Sequence, residues 1–416
     1  MRAHRVLVGT LAVCVIAAII LGLVTVERRN ARLEALTKRV NELQSEARAR
    51  NVPRSVLHGR PLPGNAWDEY TIAINEATSW TEDPNGRNLG HFLNDDPETD
   101  RALVDRMLAS HAAALDHLRA GAQRVNGQYP YQWERAEKMQ MPSLAGARIL
   151  SRLALAQSKV LLERGRTQEA LDLLLDKLVF ARDLGANGPL LATLIGDAVY
   201  SLTFDEFKRL VASGKLTPAQ LADLENKLEI ADRDFPSLMT TMTNENLSLG
   251  MAVLNGEGSG GSMAEWMAVA VQGGWRYGFS PRYMAADAFQ ERESHLRRAQ
   301  IADSRGAAEV RKEARAIEAE AVASTNPVVQ MIMPSFARSD EAHRDTLTRL
   351  RLLRAAIGLL RTGTVPQVDD PFGSSLLHSQ SGGKTRIWSV GTNGTDDGGL
   401  DGWTARRADV VLEMQK

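Results

Sequence analysis

The run from Val6 to Val26, VLVGTLAVCVIAAIILGLVTV, holds 21 residues without one charge. As a helix rising 1.5 Å per residue it spans about 31 Å, close to the hydrocarbon thickness of a bilayer. A soluble core would accept it only as a helix apolar on every side at the extreme N-terminus. The expectation is a single transmembrane anchor over residues 6–26, in contact with the lipid bilayer. A cleaved signal peptide would have a shorter apolar core and a small-x-small exit, whereas this run leaves through Leu23-Val24-Thr25-Val26-Glu27. A lipoprotein box fails because Val13 precedes Cys14. A prepilin site fails because the apolar helix lies before the Gly22 and Glu27 pair rather than after it.

Two signals for orientation oppose each other. Arg2 and Arg5 precede the anchor, while Arg28, Arg29, Arg32, Lys38 and Arg39 follow it, and a literal positive-inside count then favours a cytoplasmic body. A short basic tail ahead of an uncleaved anchor is nonetheless the usual form of a signal anchor with exported C-terminal bulk. Export is the reading adopted.

Beyond the anchor the composition is that of an ordinary globular chain: 44% hydrophobic and 24% charged over 416 residues. A net charge of −1 provides no basic excess for a nucleic-acid partner. Cys14, the single cysteine, sits in the apolar run, so the remainder can hold neither disulfides nor cysteine zinc sites.

Four segments follow: an anchor at 1–26, a juxtamembrane helix and linker at 27–64, an α-helical body at 65–363 and a β-containing tail at 364–416. In the second, Leu33, Leu36, Val40, Leu43 and Ala47 recur at spacings of three and four. This is a short coiled-coil seam, suited either to a homodimer contact through 33–47 or to a simple amphipathic stalk. Pro53 and the Gly59–Gly64 turn cluster end it.

The body is expected to be mainly α, built of αα-hairpins. Trp67, Tyr70 and Ile74 share a face. Asp96-Pro97 and Ser280-Pro281 read as caps with proline in the first turn, and Thr217 with Gln220 as a capping box. Leu221, Leu224, Leu228 and Ala231 then line one side before Pro236. Residues 153–184 read as a generic helical hairpin; Gly165 and Ala170 resemble tetratricopeptide positions, but no 34-residue recurrence is present. Met263–Val271 is too short to cross a bilayer and reads as a core helix. The charged run Arg297–Glu320 reads as the solvated face of one long helix, and Ser339 as the cap of the next. Past Gly363, residues 386–390 and 410–412 suggest short strands around a long Asp/Gly-rich loop.

Enzyme signatures mostly fail. There is no HExxH and no G-x-S-x-G, and His111 and His117, six apart, lie on different helix faces. Gly383-Lys384-Thr385 ends like a phosphate loop, but His378 stands where its first glycine belongs. Ser381 and Lys384 have S-x-x-K spacing, yet the glycines between them disfavour the helix that would align them. The stretch from Ile387 to Asp401, with Asp409 beyond, packs oxygen ligands among glycines. That composition suits calcium, or else a solvated hairpin loop.

Those tail residues carry a resemblance. Asp370-Pro371-Phe372-Gly373, then Trp388-Ser389-Val390-Gly391-Thr392-Asn393-Gly394, the acidic glycine run and Ala408-Asp409-Val410 resemble the C-terminus of type II secretion major pseudopilins, over the last 47 residues. The resemblance implies a calcium loop liganded by the carbonyl of Val390, the side chain of Asn393, Asp401 and Asp409, and it supports export. Asn393 replaces the family's aspartate, and Trp403-Thr404-Ala405-Arg406-Arg407 is an insertion. The whole layout is similar to uncharacterised membrane-anchored helical proteins of planctomycetes and myxobacteria. They share a segment matching Asn326-Pro327 and Pro334-Ser335-Phe336-Ala337-Arg338.

The resulting expectation is a non-catalytic, membrane-anchored scaffold or binding protein of a bacterial inner membrane. It is single-pass with a periplasmic body, is linked to cell-envelope assembly or secretion, and has an unknown protein partner. The alternatives are a membrane-anchored hydrolase assembled from scattered residues and a stalk dimerising through 33–47.

Overall fold

The apolar stripe of the first helix decides how the N-terminal part docks. In the computed structural model, which describes residues 27, 30–50, 54–78, 85–255, 281–332, 336–399 and 409–415, helix α1 covers 30–49. Its Leu36, Val40, Leu43 and Ala47 are no more than 2% exposed. They share a core with residues of two later helices, α10 (Leu238–Leu254) and α11 (Pro281–Asp303). Gly250 makes the approach possible: a Cβ there would run into Val40 and the Phe289 ring. Arg32 pairs with Asp287 and Arg39 with Glu293 across the same contact. The stripe read as either a homodimer contact or an amphipathic stalk is therefore covered by the chain's own helices. Heptad spacing specifies a stripe that must be buried, not which helix buries it.

Between these lie β1 (Leu62–Asn65), α2 (Ala66–Thr78), α3 (Asn85–Leu93), α4 (Arg101–Ser110), α5 (Ala112–Ala122), β2 (Arg124–Asn126), α6 (Leu144–Glu163), α7 (Thr167–Gly185), α8 (Leu190–Ala212) and α9 (Pro218–Arg233). Strands β1 and β2 pair in parallel. The predicted hairpin is α6 and α7, turning at Gly165. Trp67, Tyr70 and Ile74 all face the main core. Thr217 and Gln220 form the capping box in full, and Leu224, Leu228 and Ala231 are buried beneath it.

Three local expectations are corrected. Helix α4 starts from Asp100, whose side chain accepts from the Leu103 amide at 3.0 Å. Asp96 instead closes a turn, accepting from the Glu98 amide. The charged run does not form one helix. Gly306, with φ of 113°, separates α11 from α12 (Ala307–Ala323), and Arg298 bonds Glu313 and Glu320 across the pair. After α13 (Pro327–Ile332), α14 runs from Phe336 to Thr362, so Ser339 is a buried residue inside it rather than its cap.

The tail forms an antiparallel sheet of β3 (Leu377–Ser381), β4 (Lys384–Ser389) and β5 (Val410–Gln415). Gly382 and Gly383, at φ of 60° and 78°, supply the two left-handed residues of a two-residue hairpin turn. That turn disposes of the phosphate-loop and S-x-x-K readings. Ile387, Leu412 and Leu376 pack on Leu352, Ala355, Ala356 and Leu359 of α14. The chain is thus mainly helical, with a small antiparallel sheet near the C-terminus. Val6–Val26, Ser280, Met263–Val271, Pro334 and Ser335 lie outside the described residues. Among the described residues no helix is long and apolar enough to cross a membrane.

Candidate functional site

Strands β4 and β5 are antiparallel neighbours, and the described residues 390–399 lie around two buried carboxylates, those of Asp370 and Asp409. Asp370 anchors one side. Its Oδ1 accepts from the Phe372 amide at 2.9 Å and the Ser389 hydroxyl at 2.6 Å, and its Oδ2 accepts from the Val390 amide at 3.0 Å. Arg311 and Arg344 donate to the carbonyls of Phe372 and Pro371, tying this turn to α12 and α14.

Asp409 anchors the other side. Its Oδ2 accepts from the amides of Asp397 and Gly399 at 3.1 and 2.9 Å. Its Oδ1 is buried and has no hydrogen-bond partner among the described residues. Burial pushes the Asp409 carboxyl above the usual carboxylate range. The two backbone donors pull it back, while the charges of Asp397 and Asp396 push it up again. Asn393 donates to Asp397 at 2.9 Å and accepts from the Thr395 amide. Asp396 accepts from the Trp388 indole and the Gly398 amide, both at 2.9 Å. Gly399, at φ of 65°, lies flat on Trp388, where a Cβ would come within 3.0 Å of the indole.

Of the four residues expected to hold calcium, Asn393 and Asp409 are thus brought together through Asp397. Val390 lies at the exit of β4 with its amide committed to Asp370, which leaves its carbonyl as the expected ligand. Asp401 lies outside the described residues. Asp397 and Asp396 were not singled out in the sequence, although the Asn-Gly-Thr-Asp-Asp-Gly-Gly spacing contains them. Chemically, the cluster offers hard oxygens and one buried carboxylate oxygen without a hydrogen-bond partner among the described residues.

Elsewhere the body buries charge as internal pairs. Arg54 donates to both carboxylate oxygens of Asp183 and to the Gly121 carbonyl, and the Tyr70 hydroxyl donates to Asp183 as well. His58 meets Asp176 at 2.6 Å. His343 places Nδ1 2.9 Å from Asp197 and Nε2 2.9 Å from the Pro236 carbonyl. Burial alone would lower the His343 pKa, but the Asp197 charge and both hydrogen bonds raise it. With both nitrogens engaged, the ring holds α14 to α8 and is not placed to take a proton from a bound molecule. His111 is buried against the Met107 carbonyl, and His117 meets Glu69. His91, Asp96 and Glu98 converge after α3, where the first two are hydrogen-bonded to each other at 2.7 Å.

The class of protein defined here is a mainly α-helical body carrying a three-stranded sheet and an acidic connecting loop. Comparison with family models, with curated proteins and with solved structures gave no match.

Proposed function

We propose that this chain is a membrane-anchored, non-catalytic scaffold or binding protein. Its exported helical body would be fastened at the C-terminal end by a calcium ion in the loop between β4 and β5. The observation that carries the calcium reading is the unpartnered, buried Oδ1 of Asp409, set beside Asp396 and Asp397. The charges of Asp397 and Asp396 disfavour ionisation of Asp409, and a divalent cation beside its Oδ1 would offset that repulsion. Asp409, Asp397, Asn393 and the Val390 carbonyl would hold it, with Asp401 as the further acid that the pseudopilin resemblance assigns. Bound there, calcium would neutralise the loop and lock β5 onto β4.

The scaffold reading draws on the anchor expected at 6–26 and on a body whose large buried charges are used to hold helices together. The periplasmic side of a bacterial inner membrane follows from the same resemblance. Calorimetric titration of the full chain with calcium and with magnesium tests the loop: saturable heat with calcium is expected, and no heat and no rise in Tm would overturn it. Crosslinking in native membranes followed by capture of the chain tests the scaffold half. A discrete protein partner is expected, and recovery of the chain alone would contradict it.

A further inference from the structure

Helix α1 fixes which end of the body is nearest to the expected anchor. Glu27, directly after the apolar run, is helical, and only residues 28 and 29 separate it from α1. Helix α11 lies parallel to α1, with Arg32 paired to Asp287 and Arg39 to Glu293. Six residues back from Arg32 is Val26, the end of the run, and six back from Asp287 is Pro281, the start of α11. Parallel helices rise equally, so α11 begins level with the point where the anchor would leave the hydrocarbon. Helix α12 returns antiparallel to the same end: Ser324 meets Glu291, and the Asn326 side chain donates to the Met284 carbonyl at 2.9 Å. Met284 is three residues into α11, about 4–5 Å along its axis. The headgroup layer of one leaflet is roughly 5–7 Å thick, so Asn326 stands at its depth.

The chemistry of this end suits that depth. From Ala321 to Ala337 the sequence carries no charge, whereas α12 just before it carries Glu313, Arg315, Glu318 and Glu320. Val328 and Val329 are fully buried, which fastens α13 to the body, while Val322 is 68% exposed and Thr325 and Gln330 also face outward. A surface without charge can meet the headgroup layer without stripping water from an ion. We propose that the turn at 323–326 and α13 form a second membrane contact, resting on the lipid headgroups beside the point where the anchor enters. The contact depends on the anchor reading and goes further, because it gives the body one orientation. The 23 residues of α11 carry its other end about 34 Å from the bilayer. There Arg344 pairs with Asp303 and donates to the Pro371 carbonyl, and Arg311 lies against Gly394, so the acidic loop between β4 and β5 stands at the far end.

The test is fluorescence quenching in nanodiscs whose lipids carry a nitroxide on the headgroup. Cys14→Ala removes the native thiol from the full chain, and Thr325→Cys, Gln330→Cys and Arg305→Cys each add one labelling site at an exposed position. Probes at 325 and 330, at headgroup depth, should lose roughly half or more of their emission relative to nanodiscs without nitroxide. The probe at 305, in the turn after α11, should keep its emission. Co-elution of the chain with lipid is measured on the same samples. A chain that does not co-elute overturns the anchor and this contact together. A chain that co-elutes while its 325 and 330 probes stay as bright as the 305 probe overturns the contact and leaves the anchor standing. Quenching at 305 in place of 325 and 330 overturns the orientation and the contact with it.

Discussion

Lys177 offers a perturbation whose size can be worked from the structure. The residue is 0% exposed on the central helix α7. Its Nζ donates to the Val199 carbonyl at 3.2 Å and to the Thr203 hydroxyl at 2.7 Å. Burial pulls its pKa well below the ordinary lysine value, against partial support from the charges of Glu206 and Asp205. Burial thus disfavours the charged amine in the folded chain relative to the unfolded one, and every tenfold change in that ionisation equilibrium costs about 1.4 kcal/mol. Lys177→Met removes that cost at similar side-chain length. It forfeits two hydrogen bonds worth about 1 kcal/mol each and orphans neither acceptor, because Thr203 Oγ1 still donates to Val199 at 2.6 Å.

The variant should therefore be at least as stable as wild type at pH 7, whereas the loss of two hydrogen bonds alone would leave it about 2 kcal/mol less stable. The advantage should shrink as pH rises. Because the folded pKa is depressed, the unfolded chain holds a proton that the folded chain lacks, and wild-type stability climbs towards the unfolded lysine pKa. Denaturant unfolding of the full chain at pH 7 and pH 9.5, followed by circular dichroism, measures both effects. A Lys177→Met variant less stable than wild type, with the same difference at the two pH values, would refute the reasoning.

Other expectations concern single contacts. Gly250→Ala forces a methyl group into Val40 and Phe289 and should cost about 1–3 kcal/mol in denaturant unfolding; Val40→Ala in the same chain should recover part of it. Asp370→Ala removes the acceptor of three hydrogen bonds and should speed amide exchange at Phe372 and Val390 by at least tenfold while leaving α6 and α7 unchanged. For His343, whose folded pKa is raised, stability is fully present below the unfolded histidine pKa and is lost as pH rises through the folded one. The deficit of His343→Gln relative to wild type should accordingly be largest near pH 5.5 and smaller by pH 8.5; a deficit independent of pH would remove the charge from the explanation.

Local signals in the sequence carried much of the fold. Thr217 with Gln220, Gly165 between two leucine-rich runs, and paired glycines at 382 and 383 each act over a few residues, so the chain itself shows them. What was not legible depends on distant partners. Asp176, Lys177, Arg182 and Asp183 look like the wet side of α7, yet all are buried. His58, Thr203 and Arg54 meet three of them from remote stretches. The α1 stripe is ambiguous for the same reason, since a seam does not name its partner. In the tail, composition marked the acidic glycine run with Asp409 beyond it, and the pseudopilin resemblance added Asn393. Their link through Asp397 depends on how the glycines curl the backbone, which spacing alone does not determine.

The account's central claim, a cation held by the Asp409 loop, is most directly tested by terbium luminescence sensitised by tryptophan. The Trp388 indole is hydrogen-bonded to Asp396 within the loop, so a lanthanide bound there lies close to its energy donor. Full-length chain should give terbium emission on indole excitation, calcium should displace it, and both Trp388→Phe and Asp409→Asn should abolish it. Emission that is absent in wild type, or that survives Asp409→Asn unchanged, would contradict the claim.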